Sequence, residues 1–180
     1  MTYPEDTQIL DLIISDVKRN EGFRYLVGKY KEKLYWHIRR MVENHEDADD
    51  VLQNTFLKIA KNIHGFQQNS SLFTWMYRIA TNECINFLNA KKNRNKETLN
   101  DDAMYNLYSN DNIDEVNVLQ SLAAAIKTLP DKQKLVFNMR YYDELPYQDI
   151  SDITQTSVGA LKASYHLAVK KIEEHIKANL

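Results

Sequence analysis

Four glycines and three prolines in 180 residues leave this chain short of the turn-formers that a many-stranded fold needs. Sandwiches and barrels reverse direction every few residues, and collagen-like or low-complexity chains are richer still in these two residue types. A chain so poor in them is expected to be a series of helices joined by short connections. No apolar stretch approaches the ~20 residues that cross a bilayer. The opening MTYPEDTQIL carries acids where a secretory signal carries bases, so the expectation is a cytoplasmic protein without membrane insertion. A single cysteine, Cys84, excludes an internal disulfide framework and suits a reducing compartment.

The net charge of −2 hides a segregation of charge along the chain. Residues 1–20 sum to −2, residues 21–92 to +3, residues 93–116 to −4 and residues 117–180 to +1. Two mildly basic blocks therefore flank an acidic stretch. Lys91, Lys92, Arg94 and Lys96 crowd the end of the first block. Such a cluster serves a nucleic-acid contact or a solvated helix end equally well, because cations favour helix C-termini.

Apolar periodicity divides the blocks into helices. Asp6 is placed to cap a first helix with Ile9, Leu10, Ile13, Ile14 and Val17 on its apolar side. From Glu21 the steps Phe23, Leu26, Val27, Tyr30, Leu34, Ile38 and Met41 predict a longer amphipathic helix. HEDADDVLQNTFLKIAKNI follows, acidic at its start, with Ala48, Val51, Leu52, Phe56, Ile59 and Ile63 as its core stripe. Gly65 to Ser70 reads as a polar loop, after which Ser70 or Ser71 caps LFTWMYRIATNECINFLNAKK, with Leu72, Trp75, Met76, Ile79 and Phe87 facing inward. Residues 93–117 have no apolar stripe and read as a flexible acidic linker. The second block predicts helices over 118–128 and 132–142, a third opened by Pro146, a turn at Thr154-Gln155-Thr156, and a long final helix capped by Ser157. A short helix, a three-residue turn and a longer helix is helix-turn-helix spacing, which any small bundle can also show.

Taken together, DADDVLQNTFLKIAK with SLFTWMYRIATNECINFLNAKK resembles region 2 of the alternative sigma factors of bacterial RNA polymerase. LPDKQKLVFNMRYYDELPYQDISDITQTSVGALKASYHLAVKKI resembles their region 4. Two such regions in this order, with a short linker and nothing else, is the layout of the extracytoplasmic-function (ECF) group. The resemblance implies an all-α protein of two small helical domains: a region 2 bundle over 1–92 and a region 4 helix-turn-helix domain over 118–180, joined by residues 93–117.

It also implies roles. Asp47, Asp50, Gln53, Asn54, Leu57 and Lys58 would dock on the core polymerase, a mixture of polar groups around an apolar anchor that suits a protein interface. Gln67, Gln68, Asn69 and Ser70 would capture a base extruded from the minus-ten promoter element, since amides and hydroxyls can bond a base edge once it leaves the stack. Trp75, Tyr77 and Arg78 match the segment that supports strand separation. Trp75 lies in the apolar stripe, so Tyr77 and Arg78 are expected to be the solvent-facing pair. Asn82, Asn86, Lys91, Lys92 and Arg94 would continue the minus-ten contact along that helix. In the final helix Gly159, Ala160, Lys162, Ala163, Ser164 and His166 would approach the minus-thirty-five element in the major groove, with Lys170 and Lys171 on the backbone.

Three departures from the family pattern stand out: Gln155 where the turn usually has Gly, Asn54 where the docking motif usually has an acid, and Ser164, Leu167 and Val169 where the recognition helix often has arginines. The implied partners are core RNA polymerase, promoter DNA and an anti-sigma factor. No cofactor is implied, and no enzymatic site. The five His are scattered, there is no Gly-rich phosphate loop, and His45 beside Glu46, Asp47 and Asp49 offers no convergent metal set, because adjacent helical residues do not face one point. The rival reading is a stand-alone helix-turn-helix regulator that binds duplex DNA without polymerase.

Overall fold

The computed structural model describes residues 2–15, 17–97 and 115–179. Among them are eight α-helices and no strand: α1 Asp6–Ile14, α2 Arg19–Val42, α3 His45–Asn62, α4 Leu72–Glu97, α5 Glu115–Lys127, α6 Asp131–Tyr141, α7 Tyr147–Thr154 and α8 Val158–Asn179. Contacts divide the chain into a first unit built on residues 1–90 and a second that begins at Lys91 and carries most of α5–α8. Both ends of the expected linker are helical, since α4 runs to Glu97 and α5 begins at Glu115. The rest of it, residues 98–114, lies outside the described residues.

In the first unit Ile9, Leu10 and Ile13 of α1 are buried, as are Leu26, Tyr30, Leu34, Ile38 and Met41 of α2. Each buried Leu or Ile contributes about 1.5–3 kcal/mol relative to exposure. The apolar side of α1 ends sooner than expected. Ile14 is 64% and Val17 93% exposed, because the helix stops at Ile14. Nor is Asp6 the cap. Glu5 holds the N-cap position, its N–H donated to Gln8 Oε1 at 3.2 Å. The Asp6 carboxylate instead accepts from Lys29 Nζ at 2.8 Å and the Tyr30 hydroxyl at 2.6 Å, tying α1 to α2. Burial and this carboxylate hold the Tyr30 proton well above the ordinary phenol value.

Gly22 is what lets the two helices meet. A Cβ there would lie 2.7 Å from both the backbone N and the Cγ1 of Ile13. Backbone cannot swing aside, so Gly22→Ala should destabilise the first unit by about 1–3 kcal/mol despite alanine's better helix propensity. Urea denaturation of the variant checks this.

The α3 stripe is buried at Ala48, Val51, Leu52, Ile59 and, in the following 3₁₀ turn, Ile63. Phe56 is only half-buried, and Thr55 takes the interior place beside it, its hydroxyl donating to Val51 O at 2.7 Å. In α4 Leu72, Met76, Ala80 and Cys84 are buried, while Trp75, Ile79 and Phe87 are half-buried. His37 is fully buried, with its Nε2 3.0 Å from Thr81 Oγ1 and its ring 4.3 Å from that of Tyr77.

The second unit closes around Ala125, Ile126, Leu129, Phe137, Ala168 and Ile172, with Leu122, Tyr165, Val169 and Ile176 packed against them. Pro146 is the N-cap of α7, as its place before the helical run predicts. Ser157 caps α8, its Oγ accepting from Ala160 N at 3.3 Å. No helix among the described residues is long and apolar enough to cross a membrane.

Candidate protein and nucleic-acid interfaces

Six residues of α3 point the same way. At 100° per residue Asp47, Asp50, Gln53, Asn54, Leu57 and Lys58 fall within an arc of about 140°. Asp47 is half-buried and the other five are exposed, Leu57 to 63%. An apolar side chain this bare, with carboxylates and amides on its own face, is the arrangement of an anchor with a polar rim. Lys58 is partly engaged already: its Nζ donates to Glu83 Oε1 of α4 at 2.5 Å. Asn44 caps the helix, its side chain accepting from Glu46 N at 2.8 Å.

The polar loop leaves α3 through the 3₁₀ turn Ile63–Gly65. Gln67, Gln68 and Asn69 are exposed and Ser70 is half-buried, so the amides face solvent together. Asn69 Nδ2 donates to Gln67 Oε1 at 3.3 Å. Gln68 adopts a left-handed backbone with φ 57, which turns the chain there at some cost for a non-glycine residue. Both ends of the loop are fixed. Phe66 packs on Trp75 with ring centroids 5.2 Å apart, and Ser71, not Ser70, caps α4 by accepting from Thr74 N at 3.0 Å.

Tyr77 does not face solvent. Expected to face solvent, it is 1% exposed, packed between the rings of His37 at 4.3 Å and Phe73 at 4.7 Å. It belongs to the core of the first unit and has no face free for a base. Trp75, expected in the core, is half-buried against Phe66 and supports the loop. Arg78 is half-buried, and Asn82, Asn86 and Lys92 are exposed. These four lie within an arc of about 120° on α4. Lys91 and Arg94 are exposed but lie about 80–140° outside the Arg78–Asn82–Asn86 stripe, so α4 does not bring the whole basic cluster to one face. A depression of about 350 Å³ between Lys58 and Asn62 of α3 and Ile79, Asn82, Glu83 and Asn86 of α4 joins the α3 face to this stripe.

In the second unit Gly159, Ala160, Lys162, Ala163, His166, Lys170 and Lys171 are exposed and Ser164 is half-buried. Gly159, Ala163, His166 and Lys170 lie opposite the buried Leu161, Ala168 and Ile172, whereas Ala160, Lys162, Ser164 and Lys171 lie on the flanks, Ser164 nearest the core. A Cβ at Gly159 would meet nothing within 4 Å, so packing does not demand glycine there. Gln155 ends α7 in the left-handed conformation, φ 54 and ψ 37. The turn thus keeps the geometry glycine would supply and bears the strain, about 1–2 kcal/mol for a side chain with a Cβ. Of the three positions that depart from arginine, Val169 packs against the core, so it does not face outward. Leu167 is 48% exposed beside Lys170 and Lys171. Arg140 of α6 and Lys162 of α8 both stand over the Tyr147 ring, at 5.4 Å and 5.9 Å from its centroid. Among the described residues no group of three or more His, Cys, Asp or Glu could hold a metal ion.

Two family models match in sequence order: Sigma-70 region 2 over residues 26–94 and Sigma-70 region 4 over residues 119–172. The ECF RNA polymerase sigma-E factor of Haemophilus influenzae is 31% identical over 168 residues, 87% of this chain and 88% of that protein. The chain belongs to the ECF sigma factors. ECF RNA polymerase sigma factor SigW of Bacillus subtilis is 29% identical over 178 residues, 91% of this chain and 95% of the relative. Among solved structures, CnrH in complex with the cytosolic domain of CnrY has the same fold, with TM-score 0.70 at 17% identity over 97% of this chain and 96% of that one. The sigma factor RpoE bound to the anti-sigma factor NepR, from Bartonella quintana, aligns with TM-score 0.66 at 20% identity over 88% and 98%. Sigma factors are transcription-initiation factors. In this ECF sigma factor α2–α4 carry the region 2 match and α5–α8 the region 4 match.

Trp36 escaped the sequence reading. It is 49% exposed on the charged side of α2. The signal was there: the apolar steps from Leu34 to Ile38 pass over it, leaving a tryptophan off the stripe.

Proposed function

We infer that this ECF sigma factor binds core RNA polymerase in the cytoplasm, directs it to specific promoters and helps to melt the DNA. The observation that carries the reading is the paired match to region 2 and region 4, in order, over most of the chain. The domain over residues 1–92 takes polymerase docking and the minus-ten element, and that over 118–180 takes the minus-thirty-five element. The α3 face from Asp47 to Lys58 supplies the docking surface, supported by the exposure of Leu57 within a polar rim. Gln67, Gln68, Asn69 and Ser70 receive the extruded base, and Arg78, Asn82, Asn86 and Lys92 follow the strand along α4. Lys91 and Arg94, off that stripe, reach phosphates from its flank. Helix α8 enters the major groove with Gly159, Ala160, Lys162, Ala163, Ser164 and His166, while Lys170 and Lys171 hold the backbone.

An anti-sigma factor is the expected regulator, because both solved neighbours described above are held in complexes, one of them with a protein so named. The chain works as a subunit without a catalytic site or cofactor of its own. Transcription from a promoter by core polymerase plus this protein, absent with either component alone, tests the reading. Tight, sequence-specific duplex binding without polymerase would favour the stand-alone regulator instead.

The division of labour between the domains is testable in one promoter library. Gln67→Ala or Asn69→Ala should change which base is tolerated at one minus-ten position, by about 1–3 kcal/mol of discrimination. Lys162→Ala should weaken binding evenly across sequences and lower the salt slope by about one. A strong shift of base preference from Lys162→Ala, with even losses from the loop variants, would reverse these roles.

A further inference from the structure

Helix α2 is the most basic of the described helices: Arg19–Val42 holds seven Lys or Arg against two Glu. None of the surfaces assigned above uses it. Lys33, Trp36 and Arg40 follow one another at three- and four-residue spacing, which sets them in one stripe. Lys33 and Trp36 are exposed and Arg40 is half-buried. The indole is held in place rather than loose. Tyr35 meets it edge-on at 5.3 Å, and the Tyr35 hydroxyl is anchored 2.6 Å from His45 Nδ1 at the start of α3. At the other end Lys33 Nζ stands 5.7 Å from the centroid of Phe73. Phe73 comes three residues after Ser70, so the stripe continues directly from the end of the base-capture loop.

We propose that the Lys33–Trp36–Arg40 stripe of α2 is a track for the single strand exposed by promoter melting, with Trp36 stacking on an unpaired base and Lys33 and Arg40 holding the phosphates beside it. The proposal rests on the sigma-factor reading and adds a surface to it. Stacking between a tryptophan and a base needs a free base face, which a duplex hides and an opened strand presents. A cation on each side of the indole matches a phosphate on each side of a base, whereas an apolar protein partner would gain nothing from them. From Lys33 to Arg40 the helix rises about 10 Å, the length of about three stacked nucleotides.

The test uses holoenzyme carrying Trp36→Ala, Trp36→Phe or Lys33→Gln, with promoter DNA as closed duplex, as a premelted bubble, and as bubbles with one abasic site moved along each strand. Trp36→Ala should lose about five- to a hundredfold in affinity for the bubble. Trp36→Phe should recover most of that, and closed-duplex binding should change less than about twofold, since the bases there stay stacked. At one abasic position the Trp36→Ala loss should vanish, because the base that stacked is gone. Lys33→Gln should reduce the salt slope for the bubble by about 0.7, the single-strand value for one phosphate. Helix content and affinity for core polymerase should stay as in the unsubstituted protein.

Three results would overturn the proposal. One is unchanged bubble binding by Trp36→Ala, another a loss that persists at every abasic position, and the third weakened polymerase assembly, which makes the stripe a protein contact. If the unsubstituted protein fails to start transcription with core polymerase, the sigma-factor reading falls and this proposal with it.

Discussion

Charge reversal at Asp50 combined with truncation of Leu57 to Ala should weaken binding to core RNA polymerase by about thirtyfold or more, the loss of one interface hot spot. The two side chains are exposed and lie on one face of α3, near the centre of the proposed docking arc. Leu57 is 63% exposed. Its truncation therefore removes no core packing, and what it loses is the apolar area it would bury in a partner. Asp50 lies past the first turn of α3, where Glu46 and Asp47 already favour the helix dipole, so reversing its charge leaves the helix start intact. Circular dichroism should show unchanged helix content while a polymerase pull-down loses the protein. Retention at the unsubstituted level by a folded double variant would remove α3 from the polymerase interface.

Most of the helices were legible because their apolar spacing is regular. Leu26 through Met41 on α2 and Ala48 through Ile59 on α3 can be read directly from three- and four-residue steps. What periodicity misses is the neighbour across the interface. Asp6 looks like a cap until α2 brings Lys29 and Tyr30 to its carboxylate. Val17 looks like core until α1 ends at Ile14 and leaves it 93% exposed. Tyr77 sits one residue past Met76, and a stripe drawn through Leu72, Met76 and Ile79 puts it at the edge. The buried His37 on α2 and Phe73 on α4 widen the interior to enclose it.

The candidate surfaces divide the same way. Helical spacing alone gathers the α3 residues on one side, because it is fixed by 3.6 residues per turn. Lys91 and Arg94 cluster with Lys92 in sequence yet point elsewhere, because adjacent residues on a helix diverge by about 100°. Gln155 is the reverse case. Glutamine disfavours the left-handed conformation, and Gln155 nevertheless adopts it, with φ 54 and ψ 37.

Cys84 should be nearly inert in the native protein. The thiol is 0% exposed. Burial first, and then the neighbouring Glu83 carboxylate, push it up to about 12, with a backbone N–H donated to the sulfur pulling the other way. At pH 8 the thiolate that reacts with iodoacetamide is then about three orders of magnitude scarcer than for a cysteine near 8.5. Native protein should resist alkylation on that scale, and the same protein in guanidinium should react at the ordinary rate. The linkage has a definite sign. Above about pH 8.5 the unfolded chain gives up this proton while the folded chain keeps it, so the unfolded state binds fewer protons and stability falls with rising pH. The contribution is whole below pH 8.5 and drains away toward pH 12, so urea midpoints should decline between pH 9 and pH 11. Cys84→Ala should flatten the part of that decline that belongs to the thiol, while lowering the midpoint at pH 7 because it leaves a small cavity on the buried side of α4. Prompt alkylation of the native protein at pH 8 would mean that α4 opens locally around Cys84, and the slow limit would then report that opening rather than the thiol's proton.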